Sequence, residues 1–189
     1  VIRKRPGTVA IGAAIDKKYG LPAVPHLICG GFTKEETEDA LVDLNFLGIN
    51  NVFAIRGDPV AGDKRFRPEP GGHKHSEGLV QQIMDMNRGQ YLHELTEANP
   101  TDFCVGVAGY PEKHGEAPNF ESDLYYLKRK IDAGAEYIVT QLFFDNSKYF
   151  RFVEMCRDYG IDVPIIPVIK PVSAKSDVKG IPRPFNVDI

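Results

Sequence analysis

Continuous apolar runs alternate along this chain with runs in which apolar residues recur every three or four positions. The continuous runs are PAVPHLICG (22–30), NVFAIRGD (51–58), DFCVGVAGYP (102–111), EYIVTQLFFD (136–145) and VPIIPVIKP (163–171). A strand covered on both faces reads this way, so each run predicts a buried strand. Between them lie TKEETEDALVDLNFLG, SEGLVQQIMDMN, NFESDLYYLKRKIDAG and NSKYFRFVEMCRDYG. Their apolar stripes predict four helices: Ala40, Leu41, Leu44 and Leu47; Leu79, Val80, Ile83 and Met86; Leu124, Leu127 and Ile131; Tyr149, Phe152, Val153 and Cys156. Thr33 with Glu36 three residues on reads as a capping box, and Gly48 as a helix stop. GTVAIGAAIDKKYG (7–20) predicts one more helix ahead of the first strand.

Strand–helix alternation with short connections predicts parallel strands joined by right-handed crossovers. Two α/β architectures satisfy it, an open doubly wound sheet and a β/α barrel. The placing of polar residues favours the barrel. His26 lies in the first strand, and Arg56 and Asp58 end the second. Tyr110, Glu112 and His114 follow the third, Gln141 interrupts the fourth and Lys170 ends the fifth. The carboxyl ends of barrel strands converge on one site, so polar groups there read as ligand contacts. Five strands are visible where a closed barrel has eight, and the chain runs from Val1 to an abrupt NVDI. A single β/α (TIM) barrel domain over residues 1–189, incomplete at both ends, is the expectation.

Composition narrows the function. The net charge is −3 with no large basic block, which argues against nucleic-acid partners. No apolar run approaches the roughly 20 residues that span a bilayer, so no membrane partner is expected. Cys29, Cys104 and Cys156 are odd in number and widely spaced within apolar segments. They read as reduced, buried thiols in a cytoplasmic protein. His73-Lys74-His75 with Glu77 suggests a metal-dependent β/α hydrolase as one alternative, though no third ligand has family spacing. An inactive fragment of a barrel is another.

Arg56-Gly57-Asp58 sits where a strand would deliver a guanidinium and a carboxylate to the barrel mouth, with a glycine that lets backbone approach a ligand. A salt-bridged turn is the plainer alternative. Lys128-Arg129-Lys130 near a helix carboxyl end would complement the helix dipole on composition alone.

From residue 20 to residue 172 the sequence closely resembles methylenetetrahydrofolate reductase. The resemblance rests on RGDP after a strand, YPE-x-H, LKRK-x-DAGA and TQ-x-FFD in this order and spacing. It implies a β/α barrel that binds FAD noncovalently and uses NADH or NADPH to reduce methylenetetrahydrofolate to methyltetrahydrofolate, feeding methionine synthesis. A homo-oligomer is also expected. By resemblance His26 is a flavin-pocket residue, and Arg56, Gly57 and Asp58 form the flavin-contacting tip. Tyr110 and His114 pack and hydrogen-bond the cofactor, and Ala117 lies where the loop passes its adenosine. Asp123, Arg129 and Lys130 meet its ribose and pyrophosphate. Gln141 is the shared contact for folate and nicotinamide. Asp58 also takes a catalytic role, stabilising the cationic folate electrophile from a low-dielectric pocket. The family's catalytic glutamate lies upstream of the residues present. His75-Ser76 stand where the family has Tyr-Ala, and Asp177, followed by Gly180, stands where it has a folate-contacting glutamine.

Overall fold

The protein is described by a computed structural model covering residues 6–59, 65–174 and 187–188. Its elements are α1 (Thr8–Tyr19), β1 (His26–Ile28), α2 (Lys34–Phe46), β2 (Asn51–Ile55), α3 (Ser76–Asn87), β3 (Cys104–Gly109), α4 (Phe120–Asp132), β4 (Tyr137–Thr140), α5 (Asn146–Asp158) and β5 (Ile165–Ile166). The expected order of strands and helices is present in full. The strands form one sheet in chain order, β1-β2-β3-β4-β5. The pairings are parallel, with Leu27 opposite Ala54 and Ile138 opposite Ile165. Five strands do not close a barrel. By its internal packing the chain divides into two compact units, Val1–Gly106 and Val107–Ile189.

Local chemistry explains the boundaries. Thr33 Oγ1 accepts from Glu36 N–H at 3.1 Å while Glu36 Oε2 accepts from Thr33 N–H at 2.8 Å. This reciprocal pair starts α2 where the capping box predicts. Asn119 and Asp145 cap α4 and α5 through their side chains. In α3 the stripe Leu79, Val80, Ile83 and Met86 is fully buried. Burial of such side chains stabilises by about 1.5–3 kcal/mol each, far more than helix propensity does.

The strands are shorter than their apolar runs. Pro164 and Pro167 flank β5 and supply no N–H for a ladder, so VPIIPVIKP yields only Ile165–Ile166. Lys170 therefore lies four residues beyond the strand and is exposed, rather than ending it. Gln141 likewise follows β4 instead of interrupting it. Cys29 and Cys156 are buried as expected, whereas Cys104, first residue of β3, is only half-buried. Asp177 and Gly180 lie outside the described residues.

Candidate active site

In the first unit the site residues gather at the tip of β2. Ile55 pairs with Ile28, and Cys29 N–H is shared between Ile55 O at 3.2 Å and Arg56 O at 3.1 Å. That bond carries the ladder one residue past the strand and holds Arg56 rigidly. Gly57 then turns with φ +84°, a left-handed conformation that strains any other L-residue, and a Cβ there would lie 3.4 Å from Ile28 Cβ. The Arg56 guanidinium lies over the Phe66 ring, 5.1 Å from its centroid. Phe66 in turn lies against Gly30, where a Cβ would meet its ring at 3.2 Å. The sequence carries no signal for Phe66, since it comes from a Gly- and Pro-rich loop without periodicity.

Asp58 is exposed, which corrects the expected low-dielectric setting. It stands two residues past the last ladder bond, beyond the apolar strand that would have dried it. His26 lies in the first strand, as expected. It opens β1 opposite Phe53, two residues before that strand's carboxyl end, with ring centroids 4.9 Å apart. It lines a cavity of about 110 Å³ with Thr8, Val9, Phe32 and Ala40. Partial burial lowers its pKa.

The metal alternative is not supported. His73 is buried, and its Nε2 meets Gln82 Oε1 at 2.5 Å while Gln82 Nε2 donates to Lys34 O at 2.9 Å. This network ties α3 to the start of α2, which is structural work. Among the described residues no group of three or more His, Cys, Asp or Glu side chains is placed to hold a metal.

In the second unit the site residues occupy the loop after β3, the facing side of α4 and the end of β4. The Tyr110 and His114 rings meet edge to face with centroids 4.7 Å apart. His114 N–H donates to Asp123 Oδ2 at 2.8 Å, so Asp123 on α4 anchors the loop. Glu116 N–H donates to His114 Nδ1 at 3.2 Å. With Nδ1 accepting, the ring's proton belongs on Nε2. Ala117 N–H closes the loop onto His114 O at 3.0 Å.

The three cations of α4 separate in role. Lys128 pairs with Asp132 one turn on. Arg129 is exposed, its guanidinium 5.7 Å from the Tyr125 ring centroid. Lys130 turns inward, where Nζ donates to Ala108 O at 2.7 Å. Burial pulls its pKa down to about 8, against the opposing attraction of Asp123. A simple dipole-complementing role does not account for an ammonium so poorly hydrated. The cavity beside it, shared with Gly109, Tyr110 and Asp123, measures about 10 Å³, space for about one water.

Gln141 N–H donates to Gly109 O at 2.7 Å, and its side-chain Oε1 accepts from Leu142 N–H at 2.9 Å. That bond orients the side chain and leaves Nε2 as its donor. Two residues that the sequence reading did not mark, Lys148 and Asp188, gather around Glu112. Lys148 Nζ donates to Glu112 Oε2 and to Asp188 Oδ2, each at 2.6 Å. Burial pulls the Lys148 pKa down, but these two acceptors outweigh it and hold it above the ordinary lysine value. Glu112 is nine-tenths buried, and its Oε1 is the one buried side-chain oxygen found without a partner among the described residues.

Comparison with known proteins agrees with the motifs. Residues 3–189 match the family described as methylenetetrahydrofolate reductase. A Salmonella typhimurium protein named 5,10-methylenetetrahydrofolate reductase is 37% identical over 186 residues, covering 98% of this chain and 56% of that protein. A rice protein named probable methylenetetrahydrofolate reductase (NADH) is 37% identical over 175 residues, covering 88% of this chain and 27% of that protein. The chain thus spans about a quarter to a half of the length of these relatives. Two solved structures share the fold. One is a Clostridium thermocellum protein described as binding two copies of 5-methyl-5,6,7,8-tetrahydrofolic acid, with TM-score 0.56, 15% identity, and 93% of this chain and 54% of that one covered. The other is 2,3-dimethylmalate lyase of the PEP mutase/isocitrate lyase superfamily, with TM-score 0.54, 11% identity, and 84% and 57% covered. At such identities the likeness speaks for the parallel β/α, barrel-type fold alone. With the family matched across almost its whole length and the motif residues just past the carboxyl ends of β2, β3 and β4, this chain belongs to the methylenetetrahydrofolate reductase family.

Proposed function

We propose that this chain is barrel-domain sequence of a flavoenzyme that reduces methylenetetrahydrofolate to methyltetrahydrofolate with NADH or NADPH, supplying methyl groups for methionine. The observation that carries this is the family match over residues 3–189. The residues of each unit support it separately.

The donor set of the second unit suits FAD. His114 Nε2–H, the exposed Arg129 guanidinium and the poorly hydrated Lys130 ammonium favour an anionic ligand rich in oxygen acceptors. Lys130, bonded inward to Ala108 O, would favour such an anion through its charge rather than by contact. The one-water cavity beside Lys130 admits no ring. FAD, when bound, would carry a hydride from the nicotinamide to the methylene carbon of the folate. Gln141 would orient the pterin or carboxamide with its amide donor. In the first unit Arg56 offers a guanidinium and Gly57 bare backbone, groups suited to flavin contacts. Asp58 would stabilise the cationic folate. In open water that effect is only about 1 kcal/mol at 4 Å, but it grows to about 4 kcal/mol at an effective dielectric near 20 once ligands cover the tip.

Anaerobic stopped-flow spectroscopy tests the proposal. NADH or NADPH should bleach the flavin absorbance of the purified protein, and methylenetetrahydrofolate should restore it. A flavin that nicotinamide reduces but folate does not reoxidise would overturn the substrate assignment.

A further inference from the structure

The loop after β3 contains Lys113, the only non-glycine residue at positive φ among the described residues, at +73°. That conformation disfavours a residue with a Cβ, and such strain persists only where the surroundings hold it. Here the side chain itself does the holding. Lys113 Nζ donates to His114 O at 2.8 Å and to Ala117 O at 2.5 Å, while its backbone N–H donates to Tyr110 O at 3.0 Å. One lysine therefore ties together Tyr110, His114 and Ala117. The loop is anchored independently on both sides. Glu112 is held by Lys148 on α5, and His114 N–H by Asp123 on α4. Asp123 fixes the start of the 114–117 turn through the His114 N–H, and Lys113 engages the His114 and Ala117 carbonyls of that turn with a charge.

We propose that Lys113 is a positioning residue for the flavin cofactor: its ammonium locks the 110–117 loop in the form that presents the His114 donor and the Ala117 backbone. The inference rests on the proposed function above, and extends it to a residue that need not touch the ligand. A loop already ordered in the free protein spares binding the entropy of ordering it. Releasing even one residue's backbone corresponds to about tenfold in affinity.

The test uses two variants. Lys113→Met keeps the strained backbone and removes the ammonium. Lys113→Gly removes the ammonium and relieves the strain, so it should fold at least as stably as the wild type. Melting temperature, hydrogen exchange of the 113–117 amides in flavin-free protein, and FAD affinity by calorimetry are measured for each, well below melting. The expected result is faster exchange in this loop and FAD binding weakened by about tenfold in both variants, with the Gly variant's melting temperature preserved. If the wild type binds FAD and both variants bind it within twofold, Lys113 is not a positioning residue, and the flavin assignment stands. Weaker binding only in a variant that also melts earlier would make Lys113 merely structural. If the folded wild type binds no FAD, the functional proposal fails and this inference falls with it.

Discussion

The β2 tip in the first unit and the loop after β3 in the second carry equally marked motifs, but they are built in opposite ways. The tip is a rigid strand that ends in one left-handed glycine and an exposed carboxylate, Asp58. The loop is held by Lys148 on Glu112, by Lys113 on two carbonyls and by Asp123 on the His114 N–H. A site that must hold a large cofactor gains from such preorganisation. A carboxylate that acts on a charge present only in the substrate gains from being reachable, and becomes effective when the substrate itself excludes water. The division suggested is that the loop binds and the tip does chemistry.

The largest expected effect separates the two directly. Asp58→Asn keeps the shape and removes the charge. The folate half-reaction should slow by about 10²–10³, the loss of one preorganised electrostatic contact. Flavin reduction by nicotinamide involves no folate cation and should change far less. Stopped-flow rates showing both half-reactions slowed equally, or neither, would remove Asp58 from the chemistry.

Two glycines sharpen the contrast for different reasons. A Cβ on Gly109, at the end of β3, would stand 2.7 Å from Ile138 Cγ2 and 2.9 Å from Phe152 Cζ. Gly109→Ala should therefore overpack the second unit and destabilise it by about 1–3 kcal/mol. At Gly57 the space is ordinary and only the φ is unfavourable, so Gly57→Ala should cost about 1–2 kcal/mol. Urea unfolding monitored by tyrosine fluorescence compares them. A larger loss at Gly57 would mean that the tip, not the loop floor, is the more tightly determined region.

A gentler effect lies in the pH dependence of Lys130. Its folded pKa, about 8, is below that of the unfolded chain, near 10.4. Between these values the unfolded chain binds more protons, so this group makes stability rise with pH. The destabilisation from its burial is fully present below pH 8 and fades toward pH 10.4. Lys130→Met should lack that rise when urea midpoints at pH 7 and 9.5 are compared with the wild type. An unchanged difference between the two proteins at both pH values would show that the ammonium is well hydrated.

The smallest expected effect concerns the thiols. Burial pushes Cys29 up to about 11 and Cys156 up to about 12. Both should react with a thiol reagent only on unfolding, with the half-buried Cys104 labelling first in native protein. Rapid native labelling of Cys156 would contradict its place in the core.

The elements were legible because their signals are local. The capping box of α2 and the stripe of α3 depend on residues within one or two helical turns. The ends of the strands were less so, because Pro164 and Pro167 withhold ladder donors inside a run that hydrophobicity alone extends. The site was legible as motifs, not as geometry. That Lys130 turns in while Arg129 stays out follows from the phase of α4, yet the carbonyl Lys130 meets lies 22 residues away. The reach of Lys148 to Glu112 spans 36 residues. The left-handed Lys113 has no sequence signature, since lysine is not a residue that seeks positive φ.

The most direct measurement is calorimetric titration of flavin-free protein with FAD, run on the wild type and on Asp58→Asn. If the loop binds and the tip does chemistry, both should take up FAD at one site per chain with affinities within about threefold, a difference under about 0.7 kcal/mol. A folded wild type that binds no FAD, or an Asp58→Asn variant that loses binding altogether, would contradict that division.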